Sequence, residues 1–383
     1  MLPDDIAARM LGNRRHLHAH PELSNHETGT QAYLRAALAA EGLADVRDAA
    51  ATGLVLDVVG AAGPSNRALA IRADIDALPI AEQTGLPFAS TRPGVMHACG
   101  HDAHAAMAVA AAAALHRRRA EFRGTVRFIF QPAEEAEPLG GRRIVAEGWL
   151  DNVEAAIGIH VDPYLPTGRI AVAAGPYTLA CDIFDIRIVG RSAHAATPHE
   201  GVDALAIAAA LVGELQRLVS REASAFEPVV LSITAFQAGS GAYNIVADHA
   251  ALKGTLRTGN PDTRARTMRR IAEVATALAS AHGASAETKI VAGEPAVVND
   301  GAMARLIATA AGPAAVVAAP GWAAADDFGF YSERVPAAYF RLGVQAPDAV
   351  ETFALHHPQF RIDEAALPLG AATLVAASLG FLG

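Results

Sequence analysis

Cysteine is scarce in this chain of 383 residues, which contains only Cys99 and Cys181. Two cysteines cannot form the set of disulfides that stabilises small secreted domains. The sequence therefore favours a protein of a reducing compartment, and we expect it to be cytoplasmic. An isolated cysteine is most often a small buried apolar residue, and this is the interpretation we give to Cys181.

Long runs of positive charge and long apolar runs are also missing. The net charge is −9, and the longest run of basic residues is 117–119. Nucleic-acid binding, which needs a basic surface, is therefore not expected. No stretch of about 18 strongly apolar residues is present, so we predict no membrane span. The first ten residues contain Asp4 and Asp5 and lack the basic and apolar regions of a signal peptide.

What the chain does contain is the composition of a folded protein, with 52% hydrophobic and 19% charged residues. A chain of this length exceeds what one hydrophobic core usually organises, so two domains are expected. Within residues 181–290, the periodic patterns follow the order β-α-β-β-α-β, which is typical of a split βαβ domain. We predict a catalytic domain formed by residues 1–176 and 293–383, with a second domain inserted at 177–292.

The segment 96–104 (MHACGHDAH) contains a thiol, three imidazoles and a carboxylate. Cys99 and His101 are two residues apart, and in an extended or tightly turned backbone such side chains point the same way. Thiolate and imidazole are both ligands of borderline-soft metal ions such as zinc. Gly100 between them permits a tight turn. An alanine-rich helix predicted over 105–115 would hold the segment on a rigid element.

Acidic or imidazole side chains follow three predicted apolar strands at the point where each strand ends. In open α/β sheets, ligands bind at the carboxyl ends of the strands. The strands and side chains are 68–71 with Asp74 and Asp76, 125–130 with Glu134 and Glu135, and 155–160 with His160 as its last residue. We therefore expect these side chains to gather at one edge of a sheet.

Together, the motifs resemble those of the M20 metallopeptidase family, in the amidohydrolase branch of hippurate hydrolases, indole-acetyl-amino-acid hydrolases and N-acyl amino acid deacetylases. The resemblance implies an α/β catalytic domain with a mixed central sheet flanked by helices, and an inserted α+β lid and dimerisation domain. The matching segments occur in the family's order over nearly the whole chain. They are 18–24 (HAHPELS), 72–79 (RADIDALP), 96–104, 131–135 (QPAEE), 158–160 (GIH), 194–199 (HAATPH), 254–257 (GTLR) and 355–358 (LHHP).

In such relatives two metal ions share a bridging ligand. The resemblance therefore implies two divalent ions per subunit, and mixed sulfur, nitrogen and oxygen ligation suits zinc, manganese, cobalt or nickel. Two cations need anionic ligands to offset their repulsion, which a thiolate and a carboxylate supply. His357 competes with its neighbour His356 for the last position. The implied ligands are Cys99 as the bridge, His101, Glu135, His160 and His356.

Further roles follow from the same resemblance. Glu134 is implied to be the general base, pointing away from the neighbouring ligand, and Asp76 to orient a ligand. In the inserted domain, His194 is implied to reach the active site of a partner subunit and stabilise the oxyanion. Asn244 and Arg257 match positions that bind the carboxylate of the substrate, a task that suits the guanidinium fork.

The expected activity is metal-dependent cleavage of the amide bond in a small N-acyl amino acid, such as an N-acetyl or N-benzoyl compound. The expected assembly is a homodimer, or a higher homo-oligomer, formed through the inserted domain. A dipeptidase or aminoacylase of the same family is one alternative. A thiol hydrolase with Cys99 as nucleophile and His101 as base is another. A non-enzymatic binding module is disfavoured because every implied ligand is present.

Overall fold

The structure is a computed structural model that describes residues 2–319 and 321–383. The chain folds into two compact units. The first comprises Met1–Tyr177, Val298–Gly321 and Asp327–Gly383, and the second comprises Thr178–Val297 and Trp322–Asp326. The second unit is therefore built almost wholly from one internal segment of the chain.

The secondary-structure elements are numbered here in chain order. The strands are β1 Val46–Ala49, β2 Gly53–Val59, β3 Ala68–Asp74, β4 Thr125–Gln131, β5 Ala155–Pro166, β6 Ile170–Ala171, β7 Gly175–Pro176, β8 Ala180–Val189, β9 Val229–Ala238, β10 His249–Thr258, β11 Ser285–Val291, β12 Val298–Asn299, β13 Val316–Val317 and β14 Ala337–Gln345. The α-helices are α1 Asp4–Ala19, α2 Thr28–Ala40, α3 His101–Arg117, α4 Gly140–Ala146, α5 Ala204–Arg217, α6 Pro261–Ala281, α7 Gly301–Ala311, α8 Gly329–Arg334 and α9 Leu367–Leu382.

The first unit is organised by a mixed sheet with the strand order β1-β2-β4-β3-β5-β14-β6-β13. Strands β4, β3, β5 and β14 are mutually parallel neighbours. Strands β1 and β2 pair antiparallel, as do β2 and β4. Because parallel strands end at the same edge of a sheet, the residues after β3 and β4 are brought to one edge.

Helix α3 is the central helix of this unit. Its residues from His101 to Leu115 are all buried, as expected of a helix that is apolar around its whole circumference. It packs against α1, α9 and strand β3, and α7 packs against α9. The run of alanines lets these neighbours approach closely, so the first turn of α3 is held in a dense core.

The C-terminal helical segment Glu364–Leu382 is long and apolar enough to cross a membrane by length and composition. More than half of it is buried inside this structure. Leu367, Ala371 and Leu374 belong to the same hydrophobic core as α3. The apolar character of the segment is therefore used in packing the first unit.

The second unit is an antiparallel sheet with the order β11-β8-β10-β9, packed against α5 and α6. Alternate residues of β8, namely Phe184, Ile186 and Ile188, are buried and form its core with the two helices. The side chains of Asp203 and Asn260 cap the two helices by accepting backbone N–H hydrogen bonds. The observed order is β-α-β-β-α-β, and the predicted fold class is confirmed.

One predicted strand end was wrong. His160 is not the last residue of its strand, because β5 continues to Pro166. A charged residue, Asp162, lies within the continuing part of this strand. Its carboxylate pairs with the buried guanidinium of Arg341 on β14 at 2.9 Å. A buried partner from a distant part of the chain therefore lets a charged residue continue an apolar strand.

Candidate active site

Cys99 lies at a turn that leads directly into helix α3. The next residue, Gly100, has a φ of 92°, in the left-handed region that glycine adopts without a steric penalty. A Cβ atom at this position would also lie 2.4 Å from Cγ2 of Val161. His101 is then the first residue of α3. Both the backbone and the neighbouring strand therefore require glycine here.

Among the groups of potential metal-ligating atoms in the first unit, two share the sulfur of Cys99. In the first group, Nε2 of His160 lies 3.4 Å from Sγ of Cys99. In the second, Nε2 of His356 lies 3.1 Å from Oε1 of Glu135. The groups, each with its donor atoms within 4.8 Å of one another, are Cys99, His101 and His160, and Cys99, Glu135 and His356. All five predicted ligands are thus brought together.

Asp76 fixes the ring of His101. Nδ1 of His101 lies 3.0 Å from the backbone carbonyl of Asp76 and 3.2 Å from its Oδ1. The other carboxylate oxygen of Asp76 accepts hydrogen bonds from Oγ of Ser24 and from the backbone N–H of Glu135. Nε2 of His101 is buried and has no hydrogen-bond partner among the described residues. Coordination to a cation would satisfy this nitrogen.

Carboxylates concentrate negative charge around these donor atoms. Burial alone would lower the pKa of His101, but Asp74 and Asp76 outweigh it and raise this pKa to about 10. Burial raises the pKa of the Cys99 thiol well above its ordinary value, and the carboxylate of Glu135 raises it further. The site therefore favours positive charge, and a bound cation would supply it while stabilising the thiolate.

The donor set fits divalent ions of borderline softness. It offers one sulfur, one carboxylate and three imidazoles, which are the ligand types that zinc and its neighbours in the first transition row prefer. The sulfur and the carboxylate are anionic when coordinated, so they offset part of the charge of two cations. Residue types, proximity and the orphaned imidazole nitrogen agree with a metal centre.

Glu134 and Glu135 follow β4 at a bend. The bend begins at Ala133, which has a left-handed φ of 49°. A carboxylate oxygen of each glutamate lies within 4.8 Å of the other and of a ring nitrogen of His101. The resemblance predicts that the two side chains point apart, but their carboxylates lie close together. Neighbouring side chains point in opposite directions only along an extended backbone, and the backbone bends here.

The structure distinguishes His356 from His357. His356 has a left-handed φ of 65°, which is unusual for a residue with a side chain. Its backbone N–H donates to the carbonyl of Ala98 at 2.8 Å, next to the shared cysteine. The ring of His357 instead stacks on Phe353 at 4.7 Å and accepts a backbone hydrogen bond. Only His356 of this pair lies beside Glu135.

The second unit carries the other three predicted residues, none of which is fully buried. His194 and Asn244 are exposed and lie in adjacent loops, where the N–H of Ala195 donates to the carbonyl of Asn244 at 3.0 Å. Arg257 is half-buried on β10, opposite Cys181 of β8. The structure thus brings His194 and Asn244 together and places Arg257 on the adjoining sheet.

The family described as peptidase family M20/M25/M40 matches residues 70–379 of this chain. That range contains all five ligands predicted from the sequence and most of both units. The chain belongs to this family.

Named relatives agree with an M20 assignment. An N-acetylcysteine deacetylase of Bacillus subtilis (strain 168) is 41% identical over 364 residues, which cover 94% of this chain and 93% of the relative. An N-acyl-L-amino acid amidohydrolase of Geobacillus stearothermophilus is 40% identical over 298 residues, 78% of this chain and 80% of the relative. These similarities confirm the predicted family and the predicted amidohydrolase class.

A solved M20 structure supports the fold over the full length. The YXEP protein of Bacillus subtilis, named a dinuclear metal-binding peptidase from the M20 family, aligns with a TM-score of 0.85 at 37% identity. The alignment covers 99% of this chain and 98% of that protein. A dinuclear metal centre in that relative agrees with the two donor groups found here around Cys99.

The M20 chain also contains a buried charge network that sequence reasoning missed. The guanidinium of Arg72 donates to Oδ2 of Asp74 at 2.6 Å and to Oδ1 of Asp327 at 2.7 Å, and all three side chains are fully buried. Asp74 also accepts from Nδ1 of His104 at 2.6 Å. The position of Asp74 at the end of a predicted strand indicated a functional residue. Nothing in the sequence indicated that Arg72 pairs with Asp327, 255 positions later.

Proposed function

We propose that this chain is a metal-dependent amidohydrolase that cleaves N-acyl amino acids to a free amino acid and a carboxylic acid. The observation that carries the proposal is the pair of donor groups that share Cys99, with the further carboxylate of Glu134 beside them. Two relatives, named N-acetylcysteine deacetylase and N-acyl-L-amino acid amidohydrolase, support the substrate class. N-acetyl and N-benzoyl amino acids are the substrates we would test first.

The metal centre in this proposal is dinuclear, with Cys99 as the residue shared by both sites. Zinc, manganese, cobalt or nickel would suit the mixed sulfur, nitrogen and oxygen ligands. Bound divalent ions would polarise the amide carbonyl and increase the acidity of water. The remaining ligands are His101 and His160 on one side and Glu135 and His356 on the other.

Glu134 is the proposed general base. It lies within 4.8 Å of Glu135 and His101, so it can reach a water molecule held near the donor groups. It would accept a proton from the attacking water and return it to the leaving amine nitrogen. Asp76 has a positioning role, because its carboxylate and its carbonyl both face Nδ1 of His101 and leave Nε2 directed into the site.

His194 is the proposed oxyanion donor. The backbone N–H of Ala196 donates to Nδ1 of His194 at 3.1 Å, so the neutral ring carries its proton on Nε2. This exposed N–H is the type of donor that stabilises a developing oxyanion. Asn244 and Arg257 would bind the substrate carboxylate. We propose that the second unit forms a homodimer and that His194 acts in the active site of the partner.

A thiol hydrolase with Cys99 as nucleophile and His101 as base is the main alternative. That mechanism needs a low thiol pKa and a neutral imidazole. Here burial raises the pKa of the Cys99 thiol, whereas Asp74 and Asp76 overcome burial and raise that of His101 to about 10. Both shifts oppose the thiol mechanism, whereas a bound cation would replace the proton of His101 and lower the pKa of the thiol.

The experiment that tests the proposal combines metal analysis with a substrate panel. N-acetyl, N-benzoyl and indole-acetyl amino acids, N-acetyl-L-cysteine and dipeptides would be assayed after reconstitution with each metal. We expect up to two divalent ions per chain, with activity lost on chelation and restored by added metal. A protein that contained no metal and stayed active in EDTA would disprove the proposal.

Cys99→Ser separates the two mechanisms. A neutral hydroxyl replaces an anionic sulfur, so we expect weaker metal binding and lower activity that excess metal partly restores. A thiol hydrolase would instead lose activity outright while its metal content stayed unchanged. Dipeptides as the preferred members of the panel would favour the dipeptidase alternative within the family.

A further inference from the structure

Val161 contacts three residues in or next to the predicted metal site, through its N–H, its carbonyl and its side chain. Its N–H donates to Nε2 of His104 at 2.9 Å. Its carbonyl accepts from Nδ1 of His160 at 2.7 Å. Its side chain lies against Gly100, where an added Cβ would approach Cγ2 to 2.4 Å. One buried strand residue therefore contacts the turn after Cys99, a predicted ligand and a histidine without an assigned role.

These hydrogen bonds define the tautomers of both rings. A backbone N–H can only donate, so Nε2 of His104 is unprotonated and its proton lies on Nδ1. A carbonyl can only accept, so His160 carries its proton on Nδ1. The Nε2 lone pair of His160 is then directed at Sγ of Cys99, 3.4 Å away. His160 is thus prepared to act as a ligand.

His104 is itself anchored by Asp74. Its Nδ1–H donates to Oδ1 of Asp74 at 2.6 Å, and Oδ2 of that carboxylate accepts from Arg72. The side chains of Asp74, His104 and Arg72 are fully buried, so water does not compete for these bonds. The ring of His104 also meets that of His160 edge-on, with centroids 4.7 Å apart.

We propose that Asp74 and His104 are positioning residues. They hold His160 in its ligand orientation and tautomer through the backbone of Val161, whose N–H is bound by His104 and whose carbonyl is bound by His160. The inference rests on the proposed metal centre. Although Asp74, His101 and His104 also lie close together, His104 is not a ligand, because both of its ring nitrogens are engaged in hydrogen bonds. Its effect is therefore exerted on the His160 side of the centre.

Loss of His104 would leave the buried N–H of Val161 unsatisfied and free the adjoining strand to shift. Metal affinity at the group formed by Cys99, His101 and His160 should then fall by about 10–100-fold, the usual effect of removing a residue that orients a ligand. The group formed with Glu135 and His356 does not contact Val161 through such a bond and should bind nearly as before.

The test measures binding of Zn²⁺ to metal-free protein by competition with a chromophoric chelator. His104→Leu removes both hydrogen bonds, and His104→Gln retains an acceptor for the N–H of Val161. Val109→Ala, a core substitution in the same helix, controls for general loss of stability. We expect one of two sites to weaken strongly in His104→Leu, less in His104→Gln, and not in Val109→Ala.

A second measurement does not depend on metal. ¹⁵N NMR of the metal-free protein should show the Nδ1–H tautomer of His160 in the wild type and a mixture in His104→Leu. If His104→Leu does not fold, Asp74→Asn and His104→Gln provide the same comparison.

Unchanged affinity and tautomer in the His104 variants would overturn the inference. Equal weakening of both sites, or equal weakening in Val109→Ala, would overturn it too, because the role would then be merely structural. A wild-type protein that binds no divalent ion would contradict the proposed function separately, and the tautomer of His160 would still decide the positioning role.

Discussion

Most predicted site residues of the first unit are buried, with the exposed His356 as an exception, whereas those of the second unit are exposed or half-buried. In the first unit, Cys99, His101 and Asp76 are buried, and hydrogen bonds fix the ring of His101 from the side away from the donor cluster. In the second unit, His194 and Asn244 are exposed, and the contact between their loops is made by the backbone. The buried residues of the first unit are thus preorganised by hydrogen bonds within that unit, whereas His194 and Asn244 are open to solvent.

This difference indicates different roles for the buried residues of the first unit and the exposed residues of the second. A metal ligand must be held in place before the ion arrives, since ordering it at binding would cost affinity. A donor that acts only in the transition state can reside on a surface that meets substrate or a second subunit later. Substitutions of the predicted metal ligands in the first unit should therefore change metal content, whereas substitutions of His194 and Arg257 in the second should change kinetics at constant metal content.

The largest expected effect lies within the first unit, at two adjacent glutamates. Glu134→Gln should retain metal and fold while kcat falls by about 10²–10⁴-fold, the usual range for a lost general base. Glu135→Gln should instead lower metal occupancy, because it removes an anionic ligand. Metal content and kcat would be measured together. Glu137→Gln, which changes an exposed glutamate nearby, is the matched control.

Equal loss of metal from the Glu134→Gln and Glu135→Gln variants would show that their roles have been confused. This outcome is a real alternative, since the two carboxylates lie within 4.8 Å of each other. Added metal distinguishes the cases. It should restore part of the activity of Glu135→Gln and none of that of Glu134→Gln.

The next largest effect concerns the second unit. His194→Ala should lower kcat by about 10²-fold, as for other oxyanion donors, with a smaller change in KM and no change in metal content. His199→Ala removes an exposed histidine from the same loop and should leave kcat unchanged. A loss of metal in His194→Ala would contradict the proposal that the second unit contributes to turnover and not to metal binding.

Mixing two inactive variants tests whether His194 acts in a partner subunit. Chains carrying His194→Ala and chains carrying Glu134→Gln would be combined under conditions in which subunit exchange is confirmed. One site of each heterodimer would then contain both intact groups, so activity should return. If no activity returns, His194 acts within its own chain or has no catalytic role.

The same contrast explains what the sequence could predict. Strand ends that carry Asp74, Asp76 or Glu135 were recognisable because parallel strands bring such residues to one edge. The β-α-β-β-α-β order was recognisable from periodicity and from caps such as Asn260. Both are local signals, and local signals define elements and the side chains attached to their ends.

The features that escaped prediction depend on contacts between distant residues. Strand β5 continues past His160 because Asp162 is paired with Arg341, 179 positions later. The charge network of Arg72 joins β3 to Asp327 in the same way. The left-handed bend at Ala133 is likewise accompanied by a distant contact, because the N–H of Ala133 donates to Oε1 of Glu27. No periodic pattern encodes such pairs, so only the folded structure reveals them.

A smaller effect is expected at Arg257. Arg257→Ala should raise KM about tenfold or more for substrates with a free carboxylate, because a charge-assisted hydrogen bond is lost. The corresponding amides should be affected little. Arg187→Ala, which removes an exposed positive charge from the same sheet, is the control. Equal changes for acids and amides would mean that Arg257 does not bind the carboxylate.

The smallest effect on activity should come from a buried ion pair of the first unit that supports the start of α3. Nδ1 of His18 lies 2.9 Å from Oδ2 of Asp102, and its Nε2 lies 3.2 Å from Oε1 of Glu82. Arg14 also donates to Asp102. Burial lowers the pKa of His18, but Asp102 and Glu82 outweigh it and raise this pKa to about 9.

A raised pKa has a definite consequence for stability. The contribution of the His18 imidazolium is complete below its ordinary pKa of 6.5 and is lost as pH rises through about 9. The difference in unfolding free energy between wild type and His18→Gln should therefore shrink over this interval, by no more than about 1.4 kcal/mol per pH unit. Denaturant titrations at fixed metal content would measure it. A difference that stayed constant from pH 6.5 to 9 would mean that His18 is neutral in the folded protein, and that the charge of Asp102 is balanced by Arg14 alone.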